Sequence, residues 1–212
     1  MIRIPESQLM TDKEQCEIFS QSERGYIRNL FIESLSNNVL LHGTILNLGC
    51  GPCDYDVEIS KQNPNTNIIA VDASTAMCDI ADQNVVGYPI TVVRSLFKDI
   101  NYNVDITISS LTLHHQTDPL EFWSIIKNNT KTNGHIFVMD LIRPNSLEDI
   151  DNIVNQLAGK EDASFINDFK NSLAAAYTLE EIQDQLKDSN LTLVTEVVGK
   201  LGIVVLIYGK NT

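Results

Sequence analysis

The chain predicts an α/β fold, a doubly wound and mostly parallel seven-stranded sheet with an antiparallel edge strand, N-terminal helices and a helical insert after strand five. Three observations carry this. Short apolar runs alternate with stretches of helical pattern along most of the chain. The first run, Thr44 to Leu48, ends in Gly49-Cys50-Gly51, and the second, Asn67 to Val71, ends in Asp72. The last two runs, Leu191 to Val197 and Gly202 to Tyr208, follow each other without a helix between them. Two consecutive strands at the end of a βα alternation place an antiparallel pair at one edge of the sheet.

The elements follow in order. Residues 6–22 are polar and weakly patterned, and a helix is expected there. Residues 24–40 repeat Ile27, Leu30, Phe31 and Leu35 at helical spacing, and His42-Gly43 closes the helix. A helix over 54–62 ends before Pro64. Ser74 can cap the next helix, with Met77, Ile80 and Ala81 facing inward. Strand three is Ile90 to Val93, after Pro89, and strand four is Asp105 to Ser110. Asp118-Pro119-Leu120-Glu121 combines a capping Asp with Pro at the first helical position, and Phe122, Ile125 and Ile126 form the buried face. Asn133-Gly134 reads as a turn before strand five, His135 to Met139. Ser146 starts one helix of the insert, and Phe165, Ile166, Phe169 and Leu173 mark a second. Thr178 and Glu181 form a capping box for the last helix.

Length and composition set limits. The 212 residues fit one domain, with 1–43 as a helical cap and 141–177 as an insert above the carboxyl ends of the strands. No apolar run approaches the roughly 20 residues of a membrane span, and no apolar stretch of a signal peptide follows Met1. A cytoplasmic protein without membrane partners is expected. A net charge of −13 with scattered Lys and Arg argues against nucleic acid, which needs a basic surface. Small molecules are the favoured ligands, and the oligomeric state is left open. Cys50-x-x-Cys53 lacks a second pair at zinc-finger spacing, so no metal site is expected and both cysteines read as small loop residues.

The β-loop-α-β-acid unit is the half of a doubly wound sheet that holds an adenosine-containing ligand. Gly49 and Gly51 let the backbone turn and approach the ligand, and Asp72 can accept both ribose hydroxyls. A nicotinamide dinucleotide is disfavoured, because Pro52, Cys53 and Tyr55 stand where the completed glycine fingerprint would continue.

Four stretches together carry a resemblance. They are Asn47-Leu48-Gly49-Cys50-Gly51-Pro52, Val71-Asp72-Ala73-Ser74, Asp105 through His115, and Gly134 through Asp140 with Leu141-Ile142-Arg143-Pro144. In this order the chain resembles the class I S-adenosylmethionine-dependent methyltransferases of small-molecule type, over about residues 30–209. The resemblance implies S-adenosylmethionine as cofactor. Gly49, Cys50 and Gly51 would lie under its amino-acid part, Asp72 would hold the ribose, and Ala73 and Met77 would line the adenine. Ser95 and Leu96 would meet the adenine edge, and Ser110 and Leu111 the methionine end. Asn47 and Ser95 stand where the family usually has acids. Asn47 keeps an acceptor without the charge, which leaves a different form of the cofactor open.

Methyl transfer needs an aligned nucleophile and a group to take its proton. The candidates at the strand ends are His114, His115 and Asp140, each with a structural role as the alternative. Tyr26, Arg143 and Tyr177 are candidate substrate contacts, with an Asp140–Arg143 ion pair and a core Tyr177 as the competing readings. The insert suggests an enclosed pocket, hence a small O or N acceptor. The other reading is a catalytically inactive or altered-cofactor binding protein on the same fold, for which Asn47 and Ser95 are the features.

Overall fold

The computed structural model describes residues 1–6, 10–22 and 25–212. Its seven-stranded sheet has the order β3-β2-β1-β4-β5-β7-β6. The strands are β1 (Thr44–Leu48), β2 (Asn67–Asp72), β3 (Ile90–Arg94), β4 (Val104–Ser110), β5 (Thr130–Leu141), β6 (Val194–Val198) and β7 (Val204–Lys210). β3 through β5 run parallel, and β7 pairs antiparallel with both β5 and β6. The two terminal runs therefore make the antiparallel edge that their adjacency predicts.

The period-2 alternation of the strands sorts two cores onto the two faces. Ile45, Ile68, Ala70, Ile106, Ile108, Phe137 and Met139 pack with Phe31, Leu35 and Ile59 on one side. Leu46, Leu48, Val71, Ile136 and Val138 pack with Phe122, Trp123, Ile126 and Ile182 on the other. The helices are α1 (Lys13–Gln21), α2 (Gly25–Asn38), α3 (Asp54–Gln62), α4 (Thr75–Asn84), α5 (Pro119–Asn129), α6 (Leu147–Ala158), α7 (Ala163–Ala175) and α8 (Leu179–Asp188).

The predicted caps form. Ser74 accepts from the Met77 amide, Asp118 from Leu120 and Glu121, and Ser146 from Asp149. Thr178 and Glu181 close a reciprocal capping box. α1 starts at Lys13, capped by Asp12, so the helix expected over 6–22 is shorter; residues 7–9 and 23–24 of the two expected N-terminal helices lie outside the described residues.

Asn133-Gly134 differs from expectation. The pair lies inside β5, with Asn133 at φ 62°. The left-handed residue is absorbed by a register shift against β4 between Val104 and Ile106. Asn211 stabilises the irregularity: Asn133 donates to its carbonyl, and its own amide donates to the carbonyl of Gly134.

β1 and β4 are neighbours, while the chain leaves β1 toward β2 and β3 on the opposite side. This is the point where strand order reverses, and a crevice opens at the carboxyl ends of the strands there.

Candidate active site

The loop after β1 is held from below by backbone and from the side by Asp72. Gly49 and Cys50 both donate to the Val71 carbonyl, at 2.8 and 3.1 Å. Asp72 accepts the Gly51 amide at 2.9 Å and the Ser74 amide at 2.8 Å. Burial pushes the Asp72 carboxyl above its ordinary value, and these amides oppose the shift. Gly49, at φ 77°, packs against Thr112, whose Oγ1 would lie 2.2 Å from an added Cβ. Gly51, at φ 52°, faces open space instead. The first glycine is required by packing, and the second leaves the backbone bare where a ligand would lie. Gly49→Ala is accordingly expected to destabilise the fold by about 1–3 kcal/mol and to weaken cofactor binding; urea unfolding and a binding titration check the two effects.

Beneath the loop, Asn47 donates to both carboxylate oxygens of Asp56 at 2.9 Å. Asp56 is fully buried, and burial pushes its carboxyl up to about 7 against the opposing Asn47 bond. The acid absent from β1 thus stands on α3, at hydrogen-bond distance from the residue that replaces it. Cys50 and Cys53 are free, buried thiols. Their mutual hydrogen bond and burial hold the Cys50 thiol well above its ordinary value, so the pair carries protonated sulfur and fits the reading as small loop residues.

The other end of the crevice is built by the residues after β4. Leu111 adopts φ 53°, and a short 3-10 turn follows over Leu113–His115. Asp140, at the end of β5, organises this turn. It accepts the amides of Leu113 and Leu141 at 2.7 Å and lies 2.6 Å from Nδ1 of His114. Burial alone would raise the Asp140 carboxyl, but the His114 imidazole and the backbone amides hold it below its ordinary value. Burial pulls His114 down, and Asp140 with Glu6 outweighs it, so its imidazole gains a proton more readily than usual. His115 lies 3.3 Å from Glu6 through Nδ1 but has no contact with Asp140 of the kind His114 makes. Burial and the neighbouring His114 push it down to about 3, so it is neutral.

One cavity of about 800 Å³ joins the two ends. Gly49, Cys50, Gly51, Asp72, Ala73, Met77, Leu96, Ser110, Leu111, His114 and His115 all line it, together with Tyr26. Its roof comes from the N-terminal helices and the insert, through Phe19, Ile27, Phe165 and Phe169. Five candidates stand off this lining. Asn47 lies under the loop, bonded to Asp56. Asp140 sits behind His114. Ser95 turns its hydroxyl to the Leu96 carbonyl. Arg143 donates to the Ala176 carbonyl and to Glu181, at 2.8 and 2.7 Å. Tyr177 donates to the Gln116 carbonyl at 2.9 Å. The Asp140–Arg143 pair does not form, because His114 claims the acid and the capping glutamate of α8 claims the guanidinium.

A family profile described as a methyltransferase domain matches residues 46–138, the span from β1 to β5. The chain as a whole has the class I methyltransferase fold. The chain is similar in structure to a SAM-dependent methyltransferase from Aquifex aeolicus, with a TM-score of 0.71 and 17% identity over 95% of this chain and 99% of that one. It is also similar to the plantazolicin methyltransferase BpumL in complex with SAH, with a TM-score of 0.73 and 15% identity over 94% and 90% of the two chains. A complex between a methyltransferase activator of Haloferax volcanii and a methyltransferase matches with a TM-score of 0.69 at 12% identity, covering 93% and 97%. No curated protein matches the chain in sequence. Among the described residues, no helix is long and apolar enough to cross a membrane.

Two residues of the chain, Glu6 and Asp56, escaped sequence reasoning. Glu6 lines the cavity beside the histidines, but it belongs to a polar segment without periodicity. Asp56 reads as an ordinary acid in the first turn of a helix, where acids are favoured for the helix dipole and remain solvated. Nothing local marks it as buried.

Proposed function

We propose that the protein transfers a methyl group from S-adenosylmethionine to an O or N nucleophile of a small molecule. The observation that carries this reading is the single cavity with a glycine loop and Asp72 at one end and His114 and His115 at the other. The neighbours crystallised with SAH, the demethylated cofactor, support S-adenosylmethionine as the methyl donor. The cofactor supplies an electrophilic methyl group on a sulfonium. The chain supplies position, solvent exclusion and a proton acceptor.

Gly51 leaves room for the amino-acid part of the cofactor, and Asp72 holds the ribose from the strand end. Ala73, Met77 and Leu96 wall the adenine, and Ser110 and Leu111 flank the methionine. Asn47 acts one layer below, by fixing Asp56 under the loop. At the acceptor end, Asp140 keeps a proton on Nδ1 of His114, so Nε2 faces the cavity as the base. This arrangement suits an acceptor that loses a proton as it is methylated.

The acceptor reading rests on the roof. Residues 1–43 act as a cap and 141–177 as an insert, and their aromatic and aliphatic side chains favour an apolar small molecule over a flat polymer. BpumL, of similar fold, was crystallised with azole-containing analogues and SAH, which supports an acceptor of modest size. The net charge of −13 supports an acceptor other than nucleic acid.

Calorimetric titration with S-adenosylmethionine and SAH tests the reading. Asp72 offers two charge-assisted hydrogen bonds, each of about 1.5–3 kcal/mol, so Asp72→Ala is expected to weaken binding by at least about 100-fold. A folded wild-type protein that binds neither compound would overturn the proposal.

A further inference from the structure

The histidine end of the cavity holds two groups beside His114, namely His115 and Glu6, that the proton-transfer reading does not use. His114 Nε2 is buried and makes no hydrogen bond among the described residues. Nδ1 of His115 is likewise buried without one. Both nitrogens face the carboxylate of Glu6, whose Oε2 lies 3.9 Å from the first and 3.3 Å from the second. The three ligand atoms fall within 4.8 Å of one another.

Two buried imidazole nitrogens without hydrogen bonds converge with a carboxylate, and buried polar groups are seldom left unpaired. A proton shared with Glu6 answers for one nitrogen at most. We propose that Glu6, His114 and His115 bind a divalent first-row transition-metal ion in the acceptor end of the cavity. An ion held at about 2.0–2.2 Å by each ligand separates neighbouring donor atoms by roughly 3–3.5 Å. The Glu6 distances lie within a few tenths of an ångström of that spacing, and the two histidine nitrogens, within 4.8 Å of each other, reach it with a rotation of one ring.

The surroundings fit the ligand set. A metal-binding histidine commonly gives its other ring N–H to a carboxylate, which fixes the tautomer and raises the basicity of the ligating nitrogen. Asp140 makes that contact with His114 at 2.6 Å. Ser172 donates to the same Glu6 oxygen at 3.2 Å and holds the third ligand in place. Two histidines and one carboxylate select borderline ions such as zinc, cobalt or iron(II) over magnesium or calcium. All three ligands line the cavity, and three protein ligands leave coordination positions for water or for an acceptor oxygen.

The inference concerns the site proposed above for the acceptor, and its consequence for chemistry rests on that reading. An ion on Nε2 of His114 takes the place of the base there. It lowers the pKa of a bound acceptor hydroxyl instead, which would narrow the acceptor class to coordinating alcohols or phenols.

The test is titration of the metal-stripped protein with cobalt(II), followed by visible absorption, and with zinc(II), followed by calorimetry. One ion per chain is expected, with cobalt(II) d–d bands that shift when nitrogen ligands are lost. His115→Ala and Glu6→Gln should each weaken binding at least about 100-fold, while Cys50→Ser leaves it unchanged. Thermal unfolding of each variant shows that it is folded, and SAH titration of the same samples reports separately on the methyltransferase reading. Absence of saturable binding in the folded wild type, or binding that is lost with Cys50→Ser and kept with His115→Ala, overturns the metal site whatever the SAH result.

Discussion

Asp140→Asn is expected to reduce methyl transfer by about 10²–10⁴-fold, the usual contribution of a positioned acid–base group. The acid is buried and accepts from Leu113, Leu141 and the ring of His114. An amide in its place can offer N–H to the ring, which inverts the tautomer and puts a proton on the nitrogen that should accept one. Removing one partner of a buried charged pair also costs about 3–5 kcal/mol of stability. Two measurements check this: SAH release with acceptors found by screening, and urea unfolding of the same protein. A variant that unfolds more easily yet turns over at the wild-type rate would place Asp140 in the scaffold alone.

The second large effect concerns Asp56. Its folded carboxyl is pushed up to about 7 by burial, from an ordinary value of 3.8. Between those two values the folded chain holds a proton that the unfolded chain has released. Stability therefore falls as pH rises through this window and is flat above it. The full effect has an upper bound of about 4 kcal/mol. Asp56→Asn removes the titration and keeps an acceptor for the Asn47 amide. The variant is expected to gain stability at pH 8, by up to that amount, and to lose most of the decline between pH 5 and 7. Thermal melts across pH 4–9 decide it; a variant with an unchanged pH profile would show that Asp56 is ionised in the folded protein.

These two acids also mark where the sequence could and could not be read. The β1–loop–α3–β2 unit was legible because its signals are local: apolar runs of strand length, glycines where φ is positive, and an acid at the strand end. Most of the cofactor candidates were therefore found on the cavity wall. Capping boxes were legible for the same reason, since both partners lie within one helical turn. Partners chosen in three dimensions were not. Arg143 finds Glu181 across 38 residues, and three residues of separation from Asp140 was a poor guide to either. Asp56 carries no sign of burial in Asp54-Tyr55-Asp56, because the apolar pair at helical spacing there is Tyr55 and Ile59. Trp123, fully buried, was passed over in favour of Ile125, which is half-buried. Glu6 is the sharpest case: its carboxylate meets Ser172, 166 residues away, and its segment is also tied down by the residue three places before it.

That residue is Arg3. Its guanidinium donates to the carbonyls of Ala175, His114 and Gln116, and lies over the Tyr177 ring at 4.1 Å. One side chain thus ties the N-terminal strap to the end of α7 and to the histidine turn. Its partners are neutral carbonyls, so the tie is not an ion pair. Surface ion pairs weaken as salt screens them, whereas this fastening involves no carboxylate for salt to screen. The strap should stay shut over the acceptor end from dilute buffer to molar salt, and entry there would be governed by temperature and denaturant rather than by ionic strength.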